Sequence, residues 1–129
     1  MKTDRNATIR EFFAAFNAYD LQALAQLFAT DAVYTDVPMG KTFRGKDEIL
    51  AFLSAAISDT VNCRWDLDSI HGSGDRVAAE SFFSGSLPPE SARNPGATAI
   101  PFRFKALTTF VLSDDLLADV TDYYNPPGT

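Results

Sequence analysis

Tyr34 and Asp36 stand two residues apart in Ala32-Val33-Tyr34-Thr35-Asp36-Val37-Pro38. In an extended strand, residues i and i+2 share a face. A phenol and a carboxylate would therefore project together, with Ala32, while Val33, Thr35 and Val37 point the other way. Pro38 and Gly40 prevent the strand from continuing. A phenol can donate a hydrogen bond to a developing oxyanion or to a water, and a carboxylate can take or give a proton. A second carboxylate, Asp122, lies in Val120-Thr121-Asp122-Tyr123-Tyr124. Parity groups it with Val120 and Tyr124. If Val120 faces the core, Asp122 does too, and loss of water raises its pKa toward the range of a useful acid or base. The alternative leaves Asp122 hydrated at a strand end. Tyr34 and Asp36 also have plain readings, as a strand aromatic and as a turn-initiating aspartate. Two carboxylates sharing one apolar cavity would titrate as a coupled pair, one holding its proton.

Other reactive side chains are sparse. His71, the one histidine, falls in the turn Ile70-His71-Gly72-Ser73-Gly74 and is expected in solvent. Cys63 is the one cysteine, which excludes an internal disulfide and a multi-cysteine metal site. No loop has a calcium-site spacing, and no glycine-rich phosphate loop or nucleophile elbow is present. Neither a metal nor an organic cofactor is expected. Glu80 and Lys105 are mid-strand charges whose faces parity does not fix, and Lys105 is the base that would neutralise Asp122 if it pointed inward.

The 129 residues suffice for one domain, 1–129, with one core. Eleven basic against seventeen acidic residues give a net charge of −6. The basic residues are scattered, which argues against nucleic acid or an anionic membrane surface as partner. No apolar run approaches the roughly 20 residues of a membrane span. Met1-Lys2-Thr3-Asp4-Arg5 is followed by no apolar stretch, so no signal peptide is expected and the cytoplasm is the expected location. Eleven phenylalanines are many for this length. They suit a lined apolar pocket or a subunit interface.

The spacing of Ile9, Phe12, Phe13 and Phe16 predicts a helix over about residues 4–18. Thr8 and Glu11 have capping-box spacing, at its start or inside it. Asp20 is placed to cap a short second helix through Phe28. A strand over about 32–37 follows, then a short extended piece at Thr42-Phe43-Arg44. A third helix covers roughly 46–58, with Asp47 and Glu48 in its first turn. From there the chain reads as strands over about 61–71, 76–86, 99–112 and 116–124. Turns fall at 71–75 and 113–115, and a polar loop at 88–96. Phe102, Phe104, Ala106, Thr108 and Phe110 share one face of the long third strand of this set. The order predicts an α+β fold, with helices packed on a curved antiparallel meander.

The segment Leu27-Phe28-Ala29-Thr30-Asp31-Ala32-Val33-Tyr34-Thr35-Asp36-Val37-Pro38, followed by Phe43-Arg44-Gly45-Lys46-Asp47-Glu48-Ile49 and the final Asp122-Tyr123-Tyr124-Asn125, resembles a SnoaL-like domain of the nuclear-transport-factor-two-like superfamily. The resemblance spans nearly the whole chain. It implies a cone-shaped curved antiparallel sheet with three N-terminal-half helices on its concave face, and a homodimer through the outer face. It implies a small hydrophobic substrate and cofactor-independent cyclase, isomerase or epoxide-opening chemistry. Asp122 is similar to the last-strand acid/base aspartate of SnoaL-like polyketide cyclases. Tyr34 and Asp36 fall where limonene-epoxide-hydrolase-like enzymes position water, but Ser81 and Phe83 stand where those enzymes carry an arginine and a further aspartate. Asp36 is similar to the first-strand base of ketosteroid isomerases, whose oxyanion tyrosine falls near Phe12 here. On this reading Asp122, Asp36 and Tyr34 are catalytic, and Phe13, Phe16, Phe104, Ala106, Val120 and Tyr124 line the pocket. A non-catalytic ligand-binding or assembly domain is the alternative.

Overall fold

The computed structural model describes residues 6–88 and 100–126. The expected polar loop at 88–96 lies, apart from Pro88, outside the described residues, as do positions 4 and 5 of the first expected helix. The elements are α1 (Ala7–Asn17), α2 (Leu21–Leu27), β1 (Phe28–Asp36), β2 (Lys41–Arg44), α3 (Lys46–Ser58), β3 (Val61–Ser73), β4 (Arg76–Leu87), β5 (Ile100–Ser113) and β6 (Leu116–Tyr124). Among the described residues, three helices and six strands form the α+β architecture that the sequence order predicts.

The six strands make one curved, unclosed sheet in the order β2-β1-β6-β5-β4-β3. β3 to β6 form the expected antiparallel meander. One feature differs from a wholly antiparallel sheet: β1 lies parallel to β6. The intervening chain from β2 to β5 supplies the long crossover that a parallel pair requires. β2 folds back antiparallel on β1 and forms one edge.

α1 buries Ile9, Phe12, Phe13, Ala15 and Phe16, the stripe that its spacing dictates. Thr8 lies inside this helix rather than capping it, and its hydroxyl donates to the Asp115 carbonyl at 2.9 Å. Asp20 caps α2 by accepting from the Ala23 N–H at 3.0 Å. Phe12 sits at the centre of the core. Its ring meets those of Phe13, Phe28, Trp65 and Phe110 edge-on, with centroids 5.3–6.0 Å apart, the arrangement that aromatic quadrupoles favour.

β3 is the other edge strand, and α1 closes part of it with side chains. The Asn17 amide donates to the Trp65 carbonyl at 2.9 Å and accepts from the Trp65 N–H at 2.7 Å, as a neighbouring strand would. Beside it the Tyr19 hydroxyl donates to the Cys63 carbonyl at 2.8 Å. An edge paired in this way is no longer open to another chain at that point. Replacing Asn17 with Ala should leave both Trp65 backbone groups without their partner, at about 1–3 kcal/mol of stability. Urea unfolding would measure the loss, and amide exchange at Trp65 should quicken before exchange in β5 or β6.

Candidate active site

The parallel register of β1 and β6 sets the site. Tyr34 lies opposite Val120, and Asp36 opposite Asp122. Two carboxylates thus stand side by side on the inner face, with one phenol two residues before them on β1 and another two residues after them on β6. Diagonal neighbours in a sheet are within reach of long side chains, and the two tyrosines cross over. The Tyr34 hydroxyl donates to Asp122 Oδ2 at 2.5 Å. The Tyr124 hydroxyl donates to both oxygens of Asp36, at 2.9 and 2.8 Å. Thr108 of β5, paired with Asp122 in the register, donates to its Oδ1 at 2.8 Å. The Met39 N–H, in the turn after β1, donates to Asp36 Oδ1 at 3.2 Å. Asp122 is therefore one of the buried polar residues, 6% exposed, as is Asp36 at 3%.

Burial is the largest influence on Asp122 and pushes its pKa from 3.8 up to about 7, with the Asp36 charge adding to it. The hydrogen bonds from Tyr34 and Thr108 pull the other way and are outweighed. Burial also holds the Tyr34 hydroxyl well above the ordinary phenol range, helped by Asp122. Tyr124 is raised by burial and by its bond to Asp36. Both phenols thus remain hydrogen-bond donors near neutrality, while Asp122 is poised to exchange a proton there.

These groups border a cavity of about 620 Å³, within the usual range for a small-molecule site. Trp65, Phe83 and Ala106 wall it on the sheet side, with Phe16 from α1. Phe52 and Leu53 of α3 and Phe43 of β2 close the opposite side, where the Phe43 and Phe52 rings stack at 4.3 Å. The Trp65 indole is held in place by its N–H bond to the Ser81 hydroxyl at 2.8 Å. Met39, Lys41, Glu48 and Asp59 are exposed residues of the lining and mark its mouth.

Of the residues expected to line a pocket, Phe16, Ala106 and Tyr124 border this cavity. Phe13, Phe104 and Val120 do not. Phe13 packs edge-on against Trp65 at 5.1 Å, Val120 is wholly buried in the core, and Phe104 stacks on the Tyr124 ring at 4.8 Å. Parity identified the inner face but not which inward rings end in the core and which reach the void. Phe12, the position similar to an oxyanion tyrosine, is in the core. Sequence reasoning gave no role to Thr108, although a hydroxyl among the aromatics of the inner face was the available signal. It gave none to Trp65, Phe43 or Phe52 either, because their approach to the site depends on how helices and strands pack.

The mid-strand charges lie elsewhere. Lys105 pairs with Glu80 at 2.8 Å, and His71 Nε2 lies 2.8 Å from the other Glu80 oxygen. This largely exposed cluster engages Lys105 with Glu80 and not with Asp122. Among the described residues no group of three or more His, Cys, Asp or Glu is placed to hold a metal ion.

Residues 9–120 match the family model of the SnoaL-like domain. No curated protein matches the chain. Solved structures match it along most of its length. A SnoaL-like proposed polyketide cyclase from Shewanella denitrificans OS-217 is 19% identical, with a TM-score of 0.80 over 94% of this chain and 90% of that one. IdmH, a proposed polyketide cyclase from Streptomyces antibioticus, is 22% identical, with a TM-score of 0.79 over 95% and 93%. A hypothetical protein with a ketosteroid isomerase-like fold from Catenulispora acidiphila DSM 44928, in complex with trimethylamine, is 24% identical, with a TM-score of 0.79 over 92% and 85%. At these identities the structural likeness establishes the fold. With the family model matched over most of its length, the chain belongs to the family of SnoaL-like domains.

Proposed function

We propose that this SnoaL-like domain is an acid/base enzyme of the cyclase or isomerase type, acting on an apolar polyketide- or terpenoid-like carbonyl or epoxide. The observation that carries this reading is the buried Tyr34–Asp122 bond beside Asp36 in an aromatic cavity. With Asp122 protonated, its proton points to the Tyr34 oxygen and the Tyr34 hydrogen turns to the ligand. Asp36, oriented by Tyr124 and Met39, takes a proton from the carbon next to the carbonyl as Tyr34 delivers one to the oxygen. The product of that exchange is a neutral enol, and Asp122 replaces the proton that Tyr34 gave. A full enolate in this apolar, poorly hydrated cavity would be disfavoured, so the two transfers are coupled. The same Tyr34 proton would assist epoxide opening. Occupancy by a small hydrophobic ligand and a homodimer are part of this reading. The exposed Leu107 and Tyr123 on the outer face of β5 and β6 support the homodimer.

Exchange of the α-protons of 2-tetralone and related cyclic ketones in D₂O, followed by NMR, tests the chemistry without knowing the product. The wild type should accelerate exchange over buffer. Asp122→Asn should lose about a hundredfold or more of that acceleration while remaining folded. No acceleration, or an unimpaired folded Asp122→Asn variant, would sink the proposal. The protonated form of Asp122 is the working acid, so exchange should fall as pH rises through about 7.

Stability should carry the same signature. The folded pKa of Asp122 lies above its ordinary value, so the folded state binds this proton more tightly than the unfolded state. Its contribution is complete below about 3.8 and is lost as pH rises to about 7. Asp122→Asn has no proton to lose, so its stability relative to wild type should improve across that interval in urea titrations.

A further inference from the structure

The charges around the cavity are one-sided. Asp36 and Asp122 lie at its deep end, and Glu48 and Asp59 stand at its mouth. Lys41 is the one basic residue of the described lining; it stands opposite Asp36 in the β1–β2 register, but its side chain is exposed and forms no ion pair with Asp36 or Asp122. The remaining surface is largely aromatic, and ring faces attract cations. No basic side chain of the described lining is buried beside Asp36 and Asp122, where an anion would need one. A carboxylate or phosphate entering there would meet two acids in a medium with little water to screen them.

We propose that the cavity takes an apolar ring compound bearing a protonated amine, which sits beside Asp36 with its body against Phe52 and Trp65. The proposal deepens the acid/base reading by naming the charge class of its ligand, and rests on the same cavity. A positive charge at this place is balanced by the Asp36 carboxylate while Asp122 keeps its proton. It also favours removal of a proton from an adjacent carbon.

The test uses three probes of similar shape: 2-aminotetralin, 2-tetralone and the tetralin-2-carboxylate anion. Trp65 is the one tryptophan of the chain and borders the cavity, so its fluorescence reports occupancy. At neutral pH the amine should bind about tenfold more tightly than the ketone, and the carboxylate should not bind. Asp36→Asn, checked for folding by circular dichroism, should bring the amine and ketone affinities together. The proposal is overturned if the ketone or the carboxylate binds the wild type as tightly as the amine, if none of the three binds, or if folded Asp36→Asn keeps the preference. Proton exchange at 2-tetralone without an amine preference would sink only the charge proposal. An amine preference without exchange would sink only the acid/base reading.

Discussion

The pairing on which the site depends is the parallel one between β1 and β6, with Asp36 beside Asp122. A slip of one residue would turn one strand's reactive side chains to the opposite face, because strand side chains alternate with period two. The register is supported from outside the carboxylates. The Val37 N–H donates to the Asp122 carbonyl at 3.1 Å, and β2 and β5 hold the two strands from either side. The crossed tyrosines then tie each strand's acid to the other strand's phenol.

Burying two neighbouring carboxylates opposes folding unless their hydrogen-bonding capacity is met. Here Asp36 accepts from Tyr124 and Met39, and Asp122 from Tyr34 and Thr108. No buried side-chain nitrogen or oxygen among the described residues lacks a partner. What remains uncompensated at neutral pH is the desolvation of Asp122, which is also what gives it a useful proton. A local departure from best stability at a reactive group is common where function sets the requirement.

The aromatic core maintains the empty space next to this pair. Phe12 draws Phe28, Trp65 and Phe110 around it, and the Ser81 hydroxyl fixes the indole edge. Asn17 and Tyr19 hold the Trp65 segment to the end of α1. The tryptophan is thereby a rigid wall, and the cavity does not collapse onto the carboxylates. The outer sheet face keeps its own charges, with Lys105 and His71 engaged at Glu80.

The sequence by itself determined the elements, the α+β class and the shared face of Tyr34 with Asp36 and of Asp122 with Tyr124. These follow from short-range rules: helical spacing of phenylalanines, strand parity, and the breaks at Pro38, Gly40 and the 113–115 turn. It also carried the family resemblance. Tertiary structure decided that β1 lies parallel to β6, since two strands eighty residues apart in the chain carry no local mark of their pairing or direction. From that pairing came the crossing of the phenols, the side-by-side carboxylates and the inward course of Asp122. Packing likewise decided that Phe16 reaches the cavity while Phe13 ends against Trp65. Both belong to one apolar helix stripe, and only the position of the neighbouring sheet separates a ring that fills the core from one that lines a void.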